Sequence, residues 1–200
     1  MKTGVTAVVL AGGRGRRMEG QDKGLVPLWG KPLVGQVIAR VAPQVDTLLI
    51  SANRNLDAYQ ATGYPVIADA GNEEFRGPLA GIAAAMAVSD SAQLLVVPCD
   101  APCLPRDLCM RLRAAVTRPT REIAVAHDGV RMQNAVALIP VSLRDELEAQ
   151  LAAGEYRLES FLRRNAPVIV EFSDEAAAFV NVNSTEDLER LQYAGGCPGS

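Results

Sequence analysis

Short apolar runs alternate along the chain with segments in which apolar residues recur every three or four positions. The run TAVVL at residues 6–10 predicts a buried first strand, and the apolar spacing over residues 32–41 predicts a helix. Further strands are predicted at residues 46–53, 64–69, 93–100, 123–128, 134–140, 168–172 and 179–183. Further helices are predicted at residues 78–88, 105–116, 142–153, 157–164 and 184–192. The last of these begins with a capping sequence, Ser184 followed by Asp187.

This alternation of strands and helices predicts an α/β fold. Strands that alternate with helices form a mostly parallel sheet, and the helices cover both of its faces. No internal repeat or linker divides the chain. We therefore expect one domain over residues 1–193, followed by a loose tail at residues 194–200.

Composition narrows the class of protein. Of the residues, 48% are hydrophobic and 22% are charged, with a net charge of -3, so a global attraction to nucleic acid or to an anionic membrane is not expected. No apolar run approaches the ~18 residues of a membrane span, and the N-terminal run lacks the pattern of a signal peptide. Cys99, Cys103, Cys109 and Cys197 lack paired C-x-x-C spacing. We expect a cytoplasmic protein in which these cysteines are small, reduced, buried hydrophobic residues.

The stretch LAGGRGRRMEGQDK at residues 10–23 concentrates glycines and cations directly after the first predicted strand. It could be a solvated connection, or it could bind a polyphosphate. Glycines allow backbone N–H groups to approach an anion closely, and arginine and lysine add donors for phosphate oxygens. The stretch matches neither the P-loop nor the G-x-G-x-x-G dinucleotide fingerprint.

Polar residues or glycines also follow the other early strands, at Asn53, Asp69 and Asp100. Ligands of open parallel sheets bind beyond the carboxyl ends of the strands, so this set indicates a crevice there. The alternative is that polar residues end strands simply because loops contact water. Asp100, in VPCDAP, could hold Mg²⁺ together with substrate phosphates and waters, or it could cap the next helix.

Weaker candidates keep two interpretations each. GPLAGI at residues 77–82 could present a helix N-terminus to a ligand or form a tight turn that packs a helix on the sheet. Asn181 and Asn183 would share one face of the predicted last strand, where their amides could bind a ligand or satisfy nearby backbone. The lone histidine, His127, is better explained as a turn residue than as a catalyst. Asp22 is better explained as a group that orders its loop than as a base.

Two motifs together resemble a known signature. LAGG-x-G-x-R-M followed by DKGLVPLWGKPL is similar to the signature of nucleotidyltransferases that use nucleoside triphosphates. With SANR, IADAG, RGPLAG, PCDAP and FVNVN, the chain resembles the molybdenum cofactor guanylyltransferases, the MobA family, over residues 5–193. The resemblance implies a Rossmann-like fold and transfer of GMP from GTP to molybdenum-loaded molybdopterin, with Mg²⁺ as cofactor and release of pyrophosphate. It also implies molybdenum-insertion proteins and acceptor molybdoenzymes as protein partners.

The resemblance also assigns roles to residues. It implies that the nucleotide contacts Leu10, Ala11, Gly12, Gly13, Lys23, Ser51, Asn53, Asp69 and Asp100. Lys23 would meet the phosphates, Asp69 the nucleoside and Asp100 the metal, and Arg17 and Lys23 would act with Asp100 in catalysis. Ser51 stands where the family often has asparagine, so Asn53 is the alternative contact. Gly81, Asn181 and Asn183 are the candidates on the pterin side.

The chain departs from the family pattern at a second place, besides Ser51. Some members carry a His-Pro pair where this chain has RMQNAVAL at residues 131–138, so no pterin contact is transferred there.

Gly12 stands where cytidylyl-using relatives usually have alanine, which favours guanine over cytosine. Two alternatives stay open: a related nucleotidyltransferase that uses CTP or a sugar-phosphate acceptor, and a non-catalytic adaptor that delivers the cofactor.

Overall fold

The computed structural model describes residues 3–11, 22–68 and 77–197. Within these ranges the strands are β1 (Val5–Leu10), β2 (Pro27–Leu28), β3 (Lys31–Pro32), β4 (Thr47–Ser51), β5 (Val66–Ile67), β6 (Gln93–Pro98), β7 (Ala124–His127), β8 (Met132–Pro140) and β9 (Val168–Glu171). The α-helices are α1 (Leu33–Val41), α2 (Leu56–Gln60), α3 (Gly77–Val88), α4 (Leu108–Ala115), α5 (Arg144–Ala152), α6 (Leu158–Arg164) and α7 (Thr185–Ala194).

Seven of these strands form one sheet in the order β5-β4-β1-β6-β8-β7-β9. Strand β1 lies between β4 and β6 and is parallel to both. Strand β5 pairs in parallel with β4, and β9 pairs in parallel with β7. Strand β8 alone runs antiparallel to its two neighbours. A short turn causes this reversal, with the Asp128 N–H donating to the Arg131 carbonyl at 3.2 Å. The prediction of a mostly parallel sheet in an α/β domain is confirmed.

The sheet has a hydrophobic core on each face. On one face, the apolar sides of α1 and α4 pack on alternate residues of β1, β4 and β6. On the other face, α3, α5 and α6 pack on the intervening residues of the same sheet. Strands covered on both sides need apolar residues throughout, which explains the nearly continuous apolar runs of β1 and β6.

The predicted strand over residues 179–183 is wrong. Phe179 ends a run of 3₁₀-helical turns over Ser173–Phe179, and residues 180–183 have no regular structure. The Val182 N–H donates to the carbonyl of Asp100 at 2.8 Å, which holds this segment at the end of β6 instead of at a sheet edge. The alternation of Val180 and Val182 with Asn181 and Asn183 suggested a strand, but the buried residues are Phe179 and Val182, which lie three positions apart and would face opposite sides of a strand.

Two short elements were not predicted. Strands β2 and β3 form a hairpin whose turn, Trp29 and Gly30, has positive φ angles of 51° and 76°. Helix α2 has five residues and is separated from the end of β4 by residues 52–55. The capping box at the start of α7 is confirmed, since Ser184 accepts from the Asp187 N–H and Asp187 accepts in return.

The cysteines divide into two pairs. Cys99 and Cys109 are buried thiols, as expected, and burial raises the pKa of both. The expectation of reduced thiols is wrong for Cys103 and Cys197, which form a disulfide between the loop after β6 and the chain beyond α7. Cys197 belongs to the tail predicted at residues 194–200, and the disulfide joins it to the loop after β6. Residues 198–200 lie outside the described ranges. Over the described ranges, no helix has the length and apolar character needed to cross a membrane.

Candidate active site

The candidate site lies at the carboxyl ends of the neighbouring strands β1, β4 and β6. Leu10 pairs with Ser51 and Pro98 on either side, and the Ala11 N–H donates to the Ser51 carbonyl at 2.8 Å. Ala11 is buried. Beyond Ala11 the chain enters the glycine loop, and the predicted site residues Gly12, Gly13 and Arg17 lie outside the described residues, as does Asp69.

Lys23 is the centre of the described part of the site. It begins a 3₁₀ turn, and its ammonium Nζ donates to Asn183 Oδ1 at 2.6 Å and to Asp100 Oδ2 at 3.3 Å. Asp100 and Asn183 lie 77 and 160 residues away from Lys23 in the sequence, so the tertiary fold alone brings the three groups together. The predicted convergence of Lys23 and Asp100 is therefore present in the structure.

Burial deprives the carboxylate of Asp100 of hydration, and its protein contacts make up for this loss only in part. Its side chain is 16% exposed, and Lys23, at 21%, is the cation beside it. Desolvation raises the pKa of Asp100, and the charge and hydrogen bond of Lys23 offset this only in part. A further positive charge near this carboxylate would stabilise its ionised form.

Asn183 is held by the start of α7. Its backbone N–H donates to Asp187 Oδ2 at 3.0 Å, and the N–H of Ser184 donates to the same oxygen at 3.1 Å. The capping box therefore orients the amide that accepts from Lys23. Asn181, two residues earlier, lies in the same irregular segment. Sequence reasoning placed Asn183 on the pterin side, and it did not detect the contact with Lys23.

Asp22, the residue before Lys23, is buried, with its side chain only 4% exposed. It accepts from Tyr59 Oη at 2.6 Å, from Asn55 Nδ2 at 3.0 Å and from the backbone of Gly24 at 3.3 Å. The interpretation of Asp22 as a residue that orders its loop fits these contacts. Tyr59 and Asn55 were not identified from the sequence. A tyrosine in a short polar segment directly after a strand was the available signal.

The remaining predicted residues take less central places. Ser51 is buried at the end of β4, and Asn53 is exposed just beyond it. Gly81 is buried inside α3. Gly77 has a positive φ of 67°, and a Cβ atom there would lie 3.0 Å from the Tyr156 carbonyl oxygen. The backbone and this close approach explain that glycine as part of a tight turn.

The described residues contain no group of three or more His, Cys, Asp or Glu side chains that could hold a metal ion. A single carboxylate is nevertheless compatible with Mg²⁺, which is usually bound by one or two carboxylates, several waters and the phosphates of its substrate. Asp100 is the described residue that suits this role, because its buried charge is only partly compensated by Lys23.

A family model described as the MobA-like NTP transferase domain matches residues 7–168, which include Lys23, Asp100, most of β1 and most of the sheet. The chain belongs to this family. It is therefore a nucleotidyltransferase, and the resemblance drawn from its motifs is confirmed.

Two curated relatives of this MobA-like chain cover nearly its whole length. The molybdenum cofactor guanylyltransferase of Shewanella amazonensis is 46% identical over 194 residues, which are 97% of this chain and 98% of the relative. The Shewanella baltica protein of the same name is 47% identical over 191 residues, 96% of this chain and 97% of the relative.

Solved structures share the fold. Molybdopterin-guanine dinucleotide biosynthesis protein A from Archaeoglobus fulgidus has a TM-score of 0.75 and 23% identity, and the match covers 95% of this chain and 98% of that one. At this identity the likeness establishes the architecture of the MobA-like domain.

Proposed function

We propose that this protein transfers GMP from GTP to molybdenum-loaded molybdopterin and releases pyrophosphate. The single observation that carries the proposal is the meeting of Lys23, Asp100 and Asn183 at the end of β6, in a chain of the MobA-like family. The names of relatives that are 46% and 47% identical over almost the entire chain support guanylyl transfer over the alternatives that use CTP or a sugar phosphate.

Lys23 is proposed to bind the phosphates of GTP. An ammonium has three N–H donors, and two of those of Lys23 are directed to Asp100 and Asn183. These two contacts orient the side chain so that a further donor can meet a phosphate oxygen. Arg17 and the backbone of Leu10, Ala11, Gly12 and Gly13 are proposed to bind the same triphosphate, with Asp69 and either Ser51 or Asn53 on the nucleoside.

Asp100 is proposed as the ligand of Mg²⁺. When bound, the ion would neutralise charge on the triphosphate and on the departing pyrophosphate. The chain's own contribution is a carboxylate placed just beyond the end of β6 and oriented by Lys23. Asn181 and Asn183 are proposed to face the pterin substrate, whereas Gly81, the third candidate on the pterin side, is buried inside α3.

The proposed reaction is an in-line displacement at phosphorus. An oxygen of the pterin's terminal phosphate forms a bond to the α-phosphorus of GTP, and the bond from that phosphorus to the bridging oxygen of pyrophosphate breaks. The attacking phosphate is already ionised near neutral pH, so no residue has to remove a proton. Positioning of the two substrates and stabilisation of charge by Lys23 therefore account for the catalysis expected of the site.

Mass analysis of the product tests this proposal. The protein is incubated with Mg²⁺, molybdenum-loaded molybdopterin and either GTP or CTP. We expect a guanine dinucleotide product with one pyrophosphate released per turnover, and much slower reaction with CTP. A preference for CTP or for a sugar-phosphate acceptor would contradict the proposed substrates. Binding of the pterin without pyrophosphate release would indicate an adaptor that delivers the cofactor to acceptor molybdoenzymes or works with molybdenum-insertion proteins. The cytoplasmic setting of the reaction stays a prediction.

A further inference from the structure

The strongest unassigned feature is the cluster around the buried carboxylate of Asp22. Beyond the hydrogen bonds from Tyr59, Asn55 and Gly24, Arg54 Nε lies 3.7 Å from Asp22 Oδ2. Burial of a carboxylate is costly unless donors or cations compensate for it. A buried tyrosine could be satisfied by a backbone carbonyl at much lower cost. The use of a charged acceptor directly before Lys23 therefore requires an explanation beyond packing.

Tyr59 is the rigid part of this cluster. Its side chain is fully buried in the core beside α1 and β4, and its hydroxyl donates to Asp22 Oδ1. Burial is the main cause that raises the pKa of Tyr59 far above its usual range, and the hydrogen bond to Asp22 raises it further. The hydroxyl therefore stays a donor at all physiological pH values. Asn55 completes the arrangement from a left-handed backbone with φ of 51°. Asparagine tolerates that conformation better than most residues do.

Gly24 connects the ring of Tyr59 to the backbone of Lys23. A Cβ atom at Gly24 would overlap the Tyr59 hydroxyl and lie 3.2 Å from two carbons of the ring. The chain on both sides of Lys23 is therefore held: Asp22 by hydrogen bonds and Gly24 by direct contact with the same ring. The 3₁₀ turn adds a bond from the Leu25 N–H to the Asp22 carbonyl at 2.9 Å.

We propose that Tyr59 and Asp22 are positioning residues for Lys23, and that they hold its backbone so that its ammonium reaches the reacting phosphates. This inference rests on the proposed function, in which Lys23 binds the triphosphate. Two independent sets of contacts then fix the position of Lys23. Tyr59 and Asp22 hold its backbone, and Asp100 and Asn183 orient its Nζ.

Steady-state kinetics of Tyr59→Phe test the catalytic consequence. We expect kcat/KM to fall about tenfold, chiefly through kcat, because the transition state depends on the lysine position more than the ground state does. Tyr64→Phe is the matched control, since it removes the same atom from a partly buried tyrosine packed on the same core. In a Lys23→Ala background, measured by single turnover, Tyr59→Phe should cost less than about twofold. An equal loss in both backgrounds, or no loss in the single variant, would overturn the proposal.

A second readout does not require activity. The chain has three lysines, Lys2, Lys23 and Lys31. Reductive ¹³C-methylation therefore gives few NMR signals, which Lys2→Arg and Lys31→Arg variants assign. We expect Tyr59→Phe, but not Tyr64→Phe, to move the Lys23 signal toward that of an exposed lysine. An unchanged Lys23 signal would overturn the positioning role even in an active enzyme. An inactive wild-type protein whose Lys23 signal responds to Tyr59→Phe would instead contradict the proposed function alone.

Exchange of the two polar side chains provides a rescue. Asp22→Asn places an amide against Asn55 and should lower kcat at least as much as Tyr59→Phe. In Asp22→Asn/Asn55→Asp the new amide at position 22 can donate to the new carboxylate at position 55, so the hydrogen bond between the two side chains is restored in the opposite direction. Recovery of activity and of the Lys23 signal in the double variant supports the proposal. A folded double variant no better than Asp22→Asn contradicts it.

Discussion

Strands β6 and β7 end at the same edge of the sheet, and each is followed closely by an aspartate that uses its charge differently. Both strands run antiparallel to β8, so Asp100 and Asp128 lie beyond equivalent ends. Asp128 accepts from the N–H groups of Val130 and Arg131, each at 2.8 Å, and from Gln133 Nε2 at 2.6 Å. Asp100 interacts instead with Lys23, 77 residues away.

The electrostatics of the two carboxylates differ accordingly. At Asp128, burial opposes ionisation, but the donors of its own turn outweigh it and lower the pKa. At Asp100, burial dominates over Lys23 and raises the pKa. A strand-end carboxylate satisfied by its own turn has a structural role, whereas one left with a partly compensated charge is suited to bind a cation. Both aspartates follow the end of a strand, so this position does not distinguish their roles. The separation in sequence between each aspartate and its hydrogen-bond donors does distinguish them.

Replacement of each aspartate by alanine should break this comparison most clearly. We expect Asp100→Ala to lower kcat by about a thousandfold or more, because the proposed metal ligand is lost. Asp128→Ala should leave kcat within about twofold of wild type and lower the free energy of unfolding by about 1 kcal/mol. Pyrophosphate release measured with GTP and molybdenum-loaded molybdopterin, together with urea unfolding, checks both variants. Near-normal turnover of Asp100→Ala at saturating Mg²⁺ would refute the role of Asp100.

A smaller effect is expected at Asn183, whose amide accepts from Lys23. Asn183→Ala should lower kcat/KM about tenfold, since Lys23 loses the shorter of its two contacts. Separate KM values for the two substrates sharpen the result. A rise in KM for GTP alone indicates that Asn183 acts through Lys23, and a rise for the pterin alone supports the pterin-side assignment. Asn165→Ala, at the end of α6, is the control, and an equal loss in that variant would indicate a nonspecific effect.

The smallest effect concerns pH. Because the pKa of Asp100 is raised by folding, its contribution to stability is present at low pH and lost as pH rises through the raised pKa. The pKa of Asp128 is lowered, so its contribution is present at neutral pH and lost as pH falls through the lowered pKa. The stability of wild type relative to Asp100→Asn should therefore decrease between pH 3 and pH 7, and relative to Asp128→Asn it should increase. Urea unfolding across this range measures both slopes, and slopes of the same sign would contradict the assignment.

Much of the fold could be predicted from local patterns. The strands at residues 93–100 and 123–128 and the helices at residues 78–88 and 157–164 correspond to β6, β7, α3 and α6 with boundaries shifted by a few residues. Sheets buried on both faces require continuous apolar runs, and this requirement is visible in a single sequence. The segment at residues 179–183 was mistaken for a strand because Val180 and Val182 alternate with Asn181 and Asn183, whereas the buried residues are Phe179 and Val182, three positions apart.

Sequence by itself determined the α/β class, the family and the capping box of α7, and it predicted Lys23 and Asp100 as site residues, because each depends on residues that are close in the chain or on a matched motif. Tertiary structure alone decided that Asn183 orients Lys23, that Tyr59 holds Asp22 and that Cys103 meets Cys197. These contacts join segments between 37 and 160 residues apart. Nothing in local composition records which buried donor will meet which acceptor, because that choice depends on how the helices and strands pack.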